Sequence, residues 1–185
     1  MKVTNFRSFK TSNMYNKRPN PDEYAPYFQK YIDQVKGIDF LSELKDQTLV
    51  KDLGSLTPTE WNHRYAPEKW TVKEVVKHLS DTERVFAYRA LRIARNDKTP
   101  MPGFDQNDYS ANSAANGQSA EGLVRELTHV RAATIDLFES FNEAAIERVG
   151  VAGEANTSTL ALGYMILGHQ NHHIKLFKES YNLWQ

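Results

Sequence analysis

The sequence predicts an all-α protein: a four-helix bundle with one short extra helix at its N-terminal end. In four long segments, apolar residues recur every three to four positions, the spacing that places them on one face of a helix. Residues that favour helix starts precede these segments, and the alternating pattern typical of strands is sparse. Four amphipathic helices bury their apolar faces when they pack against one another, which predicts a bundle.

The chain is predicted to begin with a polar arm, residues 1–20, followed by the bundle domain, residues 21–185. Lys, Arg, Asn and Ser dominate the arm, and its few aromatic residues suit packing on a neighbouring surface. The short extra helix starts at Pro21, because Asn20 is a good capping residue and two acidic residues follow near the positive end of the helix dipole. It is predicted to end near Gly37.

The four long helices each have a polar capping residue at the predicted start. They are predicted to begin at Asp39, Trp70-Thr71, Ser119-Ala120-Glu121 and Thr157 or Ser158. Residues 96–117 are rich in Pro, Gly, Asn, Asp and Ser and lack periodicity, so they are interpreted as a long loop. Loops of this length in a compact domain are usually functional or mobile. Residues 150–157 are predicted to form the last loop.

Composition excludes several classes of protein. The chain has 185 residues, enough for one domain with a sizeable core. The 23 basic and 23 acidic residues balance, which argues against binding nucleic acid or an anionic membrane. There is no cysteine, no secretory signal and no apolar run near the ~20 residues that span a bilayer. We therefore expect a cytoplasmic, soluble protein.

Two histidines interrupt the apolar face of the predicted fourth helix. His169 and His173 are one turn apart, and each lies roughly 20° from Leu162 on a helical wheel. A buried imidazole without hydrogen-bond partners costs about 1–3 kcal/mol. A shared metal ion is the simplest reason for the pair, since histidines at i and i+4 can direct two nitrogens at one ion. The alternative is two core histidines that backbone groups or water satisfy separately.

His78 on the predicted second helix is the natural third ligand, because a bundle directs side chains from facing helices into one interior. Three imidazoles leave at least one position of an ion open to water or substrate, the pattern of a catalytic site. His172 could replace His173 at i+3 spacing, although a position beside the ligands fits it better.

Several other polar residues are candidates for helping this site, each beside an ordinary structural explanation. Glu83 lies on the inward stripe, where it would ligate or orient a histidine, or pair with an arginine. Arg89 shares the side of His78 and could receive a substrate carboxylate. Asp105, like Asp108 and Tyr109, lies in the long loop, which either covers the metal or is purely structural.

From about Pro21 to Tyr181 the sequence resembles the DinB/YfiT-like superfamily of small bundle metalloproteins. The segments that carry the resemblance are Tyr65–Val75, His78–Arg84, Phe86–Arg92, Pro102–Asp105, Gly168-His169 and His172-His173. The resemblance implies that His78, His169 and His173 bind a divalent metal, most often zinc or nickel. It also implies a homodimer, and it does not imply DNA binding.

The resemblance implies several activities rather than one. Relatives transfer low-molecular-weight thiols such as bacillithiol to small electrophiles, and many others are proposed metal-dependent hydrolases that use hydroxide held by the ion. Thiol transfer is our first expectation, because no protein cysteine competes for the ion. Gln170 stands where zinc proteases of the HExxH type carry their glutamate, so that mechanism is disfavoured. A non-catalytic bundle that binds a metal or ligand is the remaining alternative.

Overall fold

The computed structural model describes residues 14–184, and the structural statements below concern that part of the chain. In chain order, its α-helices are α1 (Gln29–Ile32), α2 (Phe40–Leu44), α3 (Thr48–Gly54), α4 (Pro58–Trp61), α5 (Val72–Ala94), α6 (Gln106–Asn112), α7 (Ala120–Glu139), α8 (Glu143–Ile146) and α9 (Thr159–Glu179). Single 3-10 turns lie at Pro21–Glu23, Pro26–Phe28 and Ala115–Gly117, and a hairpin consists of β1 (Val149–Ala152) and β2 (Ala155–Ser158).

The long helices start at the capping residues that the sequence predicts. Thr71 forms a capping box with Glu74 at the start of α5, in which each side chain bonds to the backbone of the other residue. Ser119 caps α7 and Ser158 caps α9, each side-chain oxygen accepting a hydrogen bond from a backbone N–H of the first turn. These caps fix where the helices that carry the histidines begin.

The bundle is built around α5, which packs against both α7 and α9. The shorter helices α2 and α3 complete it by packing on α7, and α2 also contacts α9. Large apolar side chains fill the interior: Phe40, Leu44, Leu53, Ile93, Leu123, Phe138, Leu162 and Phe177 are fully buried. The predicted all-α bundle is confirmed.

The predicted first long helix is wrong in one respect, because it is two short helices, α2 and α3. The Asp46 side chain accepts hydrogen bonds from the backbone N–H of Thr48 (2.8 Å) and from its hydroxyl (2.6 Å). Such local bonds compete with helical backbone bonds, so one helix ends before Asp46 and another begins at Thr48.

The short N-terminal helix is likewise divided. Pro26 has no N–H and holds the preceding Ala25 in an extended conformation, so two 3-10 turns precede the short helix α1. The chain nevertheless brings α1 against α9. This packing places Tyr31 beside the histidines of α9.

The segment predicted as the last loop forms the antiparallel hairpin β1–β2, with Ala152 paired to Ala155 across a two-residue turn. Gly153 in that turn has φ +66°, a conformation that favours glycine. The Gly153 N–H donates to the Met101 carbonyl (2.9 Å), which attaches the hairpin to the long loop. That loop is not entirely irregular either, because it contains α6.

The end of the predicted arm packs on the bundle. Tyr15 is buried and its hydroxyl donates to the carbonyl of Phe138, while Arg18 donates to the carbonyls of Ile32 (2.7 Å) and Val35 (2.8 Å). Residues 1–13 of that arm lie outside the described part of the chain. Within residues 14–184, no helix has the length and apolar character needed to cross a membrane.

Candidate metal centre

Three histidine side chains converge in the bundle interior. His78 comes from the second turn of α5, and His169 and His173 come from successive turns of α9. Their side chains are 4–7% exposed. The Nε2 atom of His169 lies 2.9 Å from Nε2 of His78 and 3.2 Å from Nε2 of His173. The structure therefore brings together the three histidines that the sequence singled out.

Hydrogen bonds among the three rings cannot account for these close contacts between Nε2 atoms. Nε2 of an imidazole has one in-plane position, which holds either a proton or a lone pair, yet His169 Nε2 faces two other Nε2 atoms. The three rings offer one ligand atom each within a span of 4.8 Å. Nitrogens bound to one tetrahedral zinc at ~2.0–2.1 Å lie about 3.3 Å apart. The donor set fits a divalent ion.

The electrostatics of the site favour the neutral imidazole, which is the form that binds metals. Burial, with a smaller contribution from His172, lowers the pKa of His78 to about 4. Burial also holds the pKa values of His169 and His173 well below the ordinary 6.5, and the neighbouring histidines add to this effect. All three shifts favour the neutral imidazole at neutral pH.

Neighbouring side chains fix the orientation of two of the rings. Thr82, one turn after His78, places its hydroxyl oxygen 3.3 Å from His78 Nδ1, so a proton on Nδ1 leaves Nε2 free as a ligand. Trp70 packs on the same ring with centroids 4.8 Å apart. Tyr31 meets His169 edge-on at 5.2 Å. The rings of His78 and His169 are therefore held in place by the protein itself.

His173 is not an ordinary core histidine satisfied by its surroundings. Its Nδ1 atom is buried and has no hydrogen-bond partner within residues 14–184. An unsatisfied buried polar atom costs about 1–3 kcal/mol. This observation argues against the alternative that each histidine is separately satisfied by the protein.

His172 does not join the cluster. Its side chain is half-buried and meets the rings of Tyr31 and His173 at 5.5 Å and 5.2 Å between centroids. The group of side chains that could share an ion contains His173 and omits His172. On α9, the i+4 pair His169 and His173 therefore lies close enough to share an ion, whereas the i+3 residue His172 lies outside the group.

Glu83 pairs with an arginine rather than with a histidine. Arg131 of α7 donates from Nε and Nη2 to the two carboxylate oxygens, at 2.9 Å and 2.8 Å, and its Nη1 reaches the carbonyl of Leu44 (3.3 Å). Both side chains are buried. Of the two roles open to Glu83 in the sequence, the structure has the ion pair between helices.

Asp105 of the long loop has a structural role. Asp105 caps α6, accepting hydrogen bonds from the backbone N–H groups of Asn107 (2.7 Å) and Asp108 (3.3 Å). Asp105 and Asp108 are exposed, and Tyr109 packs on Phe104. The part of this loop that reaches the site is Gly103–Phe104, together with Gln106.

A cavity of about 430 Å³ opens beside the three histidines, within the size range of small-molecule pockets. Its walls come from the segment around α1, from α5, from the long loop and from the hairpin turn. The lining residues are Ala25, Tyr27, Phe28, Tyr31, Thr82, Phe86, Arg89, Gly103, Phe104, Gln106, Ala152, Gly153, Glu154, Ala155 and His169. His169 belongs both to the cavity and to the histidine cluster.

The sequence did not reveal most of these walls. Arg89 was predicted to lie on the side of His78, whereas Tyr27, Phe28 and Tyr31 belong to the segment predicted only as a short extra helix. The contribution of Gly153-Glu154 was missed, because the turn reaches the cavity through its attachment to Met101, distant in sequence. Gly153, a residue type typical of tight turns, was the available signal.

A buried cluster of three neutral histidines beside a cavity in a helical bundle defines a class of protein that can hold a metal ion next to a small molecule. The family model of the DinB superfamily matches residues 43–177. The chain therefore belongs to the DinB superfamily.

Comparison with solved structures gives the same fold. The chain is similar to YfiT from Bacillus subtilis, described as a probable metal-dependent hydrolase with an unusual four-helix bundle topology. The TM-score is 0.62 at 16% sequence identity, and the match covers 92% of this chain and 99% of YfiT. Similarity at this identity shows the fold. A search of curated proteins finds no matching sequence.

Proposed function

We propose that this protein is a metal-dependent enzyme in which His78, His169 and His173 hold one divalent ion, zinc or nickel. Its reaction is the transfer of a low-molecular-weight thiol, such as bacillithiol, to a small electrophile. The observation that supports this most directly is the double position of His169, which joins two buried neutral imidazoles and also lines the cavity. A nucleophile and a substrate would thus meet at one place.

An ion in such a site stabilises the thiolate form of a bound thiol or lowers the pKa of bound water. The chain's own residues supply the rest of the site. Thr82 orients His78, and the rings of Phe28, Phe86 and Phe104 give the cavity apolar walls that exclude water from a bound molecule. The sulfur forms a bond to carbon, the leaving group departs with its electron pair, and the thiol proton passes to solvent.

The carboxylates argue for thiol transfer over hydrolysis. Water attack normally needs a general base, whereas a thiolate does not. Glu83 is bound to Arg131, and Asp105 caps α6. Of the described residues that line the cavity, Glu154 is the sole carboxylate, and it is exposed on the hairpin turn. The site is therefore better suited to a nucleophile that is already ionised.

Hydrolysis is the second candidate. The solved structure that this chain resembles is described as a probable metal-dependent hydrolase. Glu154 is the residue that would then serve as the general base, because its carboxylate lines the same cavity as His169. Substitution of Glu154 would abolish hydrolysis and leave thiol transfer largely intact.

The test is turnover by the zinc- or nickel-loaded protein. One arm combines a panel of thiols with an electrophile such as a chlorinated nitroaromatic and detects the thioether by mass spectrometry. The other arm offers esters and amides without thiol. We expect thioether formation that His169→Ala abolishes and that the exposed His129→Ala retains. Ester cleavage without thioether formation would favour the hydrolase, and equal rates in His169→Ala would contradict both reactions.

A further inference from the structure

Building on the proposed function, we infer that the small substrate carries a carboxylate, which Arg89 binds inside the cavity while the rest of the molecule extends towards His169. Arg89 is thus the residue that determines which electrophile the enzyme accepts beside the thiol. The assignment rests on burial, on missing charge partners and on the position of Arg89 along α5.

Arg89 is a buried cation without an anionic partner. Its side chain is 7% exposed, yet no carboxylate of residues 14–184 lies within ion-pair distance of its guanidinium. The equally buried Arg131 is fully paired with Glu83. Buried charges in proteins are normally paired or bind a ligand. Arg89 therefore needs an explanation that Arg131 does not.

The donors of Arg89 are partly used and partly open to the cavity. Nη2 donates to the carbonyl of Pro102 (2.8 Å), and the guanidinium lies 5.8 Å from the ring centre of Phe104. These contacts hold the side chain in place. The remaining nitrogens make no hydrogen bond to the described residues and are not sealed from solvent. A fixed guanidinium with free N–H groups suits a planar carboxylate.

The position on α5 places Arg89 and the histidine cluster on one side of the cavity. His78, Thr82, Phe86 and Arg89 follow one another at helical spacing, so they share a face of α5. Thr82, Phe86 and Arg89 all line the cavity, as does His169. A molecule bound there by its carboxylate passes over Phe86 before it reaches His169.

The charges around the cavity favour a single negative charge. Apart from His169, Arg89 is the one basic side chain among the described residues that line it, and Glu154 is the one acidic side chain. Burial lowers the pKa of Arg89, and Tyr109 acts in the opposite direction. A phosphate dianion would bring two negative charges to one cation, whereas a carboxylate brings one. The remaining walls are largely aromatic and accept an apolar body.

The test measures binding rather than turnover, in metal-free protein, so that the ion cannot receive the carboxylate. The probes are 3-phenylpropionate, the neutral 3-phenylpropanamide and 2-phenylethyl phosphate, titrated by ligand-observed NMR. We expect the acid to bind about tenfold or more tightly than the amide, since hydrogen bonds to charged groups contribute that much. Arg89→Gln should abolish this preference, and Arg89→Lys should retain part of it.

Two matched variants complete the design. Arg92→Gln, on the same helix but paired with Asp97, should keep the preference for the acid. Glu154→Gln should keep or increase it, because one negative charge leaves the cavity. A thermal melt of each variant checks that it is folded.

Four results would overturn the inference: no binding of the acid, equal binding of acid and amide, a preference that survives in Arg89→Gln, or tighter binding of the phosphate. None of these results would contradict the proposed metal centre or its proposed turnover. Conversely, a protein without turnover could still show the Arg89-dependent preference. Failure of this inference is thus distinguishable from failure of the proposed function.

Discussion

Gly168 of α9 lies directly against the backbone of Tyr31 in α1. A Cβ atom on residue 168 would be 2.0 Å from the carbonyl oxygen of Tyr31 and 2.5 Å from its carbonyl carbon, so no side chain fits there. The neighbouring residue is His169, whose ring meets the Tyr31 ring edge-on. This close approach of two backbones sets one wall of the cavity beside the histidine cluster.

Gly168→Ala should therefore destabilise the protein by about 1–3 kcal/mol, because α1 must move away from α9 to accept the methyl group. The same movement should weaken zinc binding by displacing Tyr31 from His169. Urea denaturation measures the first effect and a zinc titration measures the second.

Gly54→Ala is the matched control, since nothing lies within 4 Å of a Cβ built on residue 54. It should leave both the free energy of unfolding and zinc affinity nearly unchanged. A Gly168→Ala protein as stable as Gly54→Ala would show that the contact with Tyr31 does not constrain the fold.

The buried Glu83–Arg131 pair should have a large effect when one partner is removed. Glu83→Leu leaves the guanidinium of Arg131 buried without its carboxylate, and breaking such a pair costs about 3–5 kcal/mol. The double variant Glu83→Leu/Arg131→Met should recover much of that loss, because no charge then remains unpaired. Chemical denaturation of both variants measures the difference. A double variant no more stable than Glu83→Leu would contradict this account.

The histidine cluster should make the metal-free protein sensitive to acid. Burial lowers the folded-state pKa of His78 to about 4, and those of His169 and His173 lie well below 6.5. Below about pH 6.5 the unfolded chain therefore binds more protons than the folded one, and the free energy of unfolding falls as pH falls. The loss reaches at most about 1.4 kcal/mol per pH unit for each histidine.

Urea denaturation of the metal-free protein at several pH values between about 6.5 and 4.5 measures this slope. His78→Leu removes one titrating group and should give a shallower dependence. The exposed His129→Ala is the control and should follow the wild type. Parallel curves for wild type and His78→Leu would show that His78 does not titrate differently on unfolding.

Substitution of His172 and of His173 should show which of the two, at i+3 or at i+4 from His169, binds the metal. His173→Ala should reduce zinc affinity by more than the 10–100-fold typical of residues that only support a ligand. His172→Ala should have a smaller effect, because His172 lies outside the cluster and touches it through its ring edge. Isothermal titration of both variants decides this. A larger loss in His172→Ala would assign the i+3 residue as the ligand.

Sequence alone was sufficient for the features that depend on local pattern. Caps at Thr71 and Ser158 are short-range hydrogen bonds, so their residues reveal them directly. The pair His169 and His173 stood out because a helix places both on an apolar face. His78 followed from the way a bundle directs side chains inward. The family assignment is confirmed by the match over residues 43–177.

The features that the sequence did not reveal depend on competition or on tertiary contacts. The break between α2 and α3 arises because the Asp46 side chain competes with helical bonding. The hairpin at 149–158 has strands of four residues, too short for a clear alternating pattern. Glu83 had two plausible partners, and only packing against α7 selects Arg131. The homodimer, the cytoplasmic location and the choice of zinc or nickel stay predictions.

The central claim is that one divalent ion binds between α5 and α9, and metal content tests it most directly. The protein is purified without an affinity tag, supplied with zinc, desalted and analysed by mass spectrometry for metal per chain. We expect about one equivalent in the wild type and in His129→Ala, and almost none in His169→Ala. A wild type that retains less than about a tenth of an equivalent, or a His169→Ala variant that retains as much as the wild type, would contradict the claim.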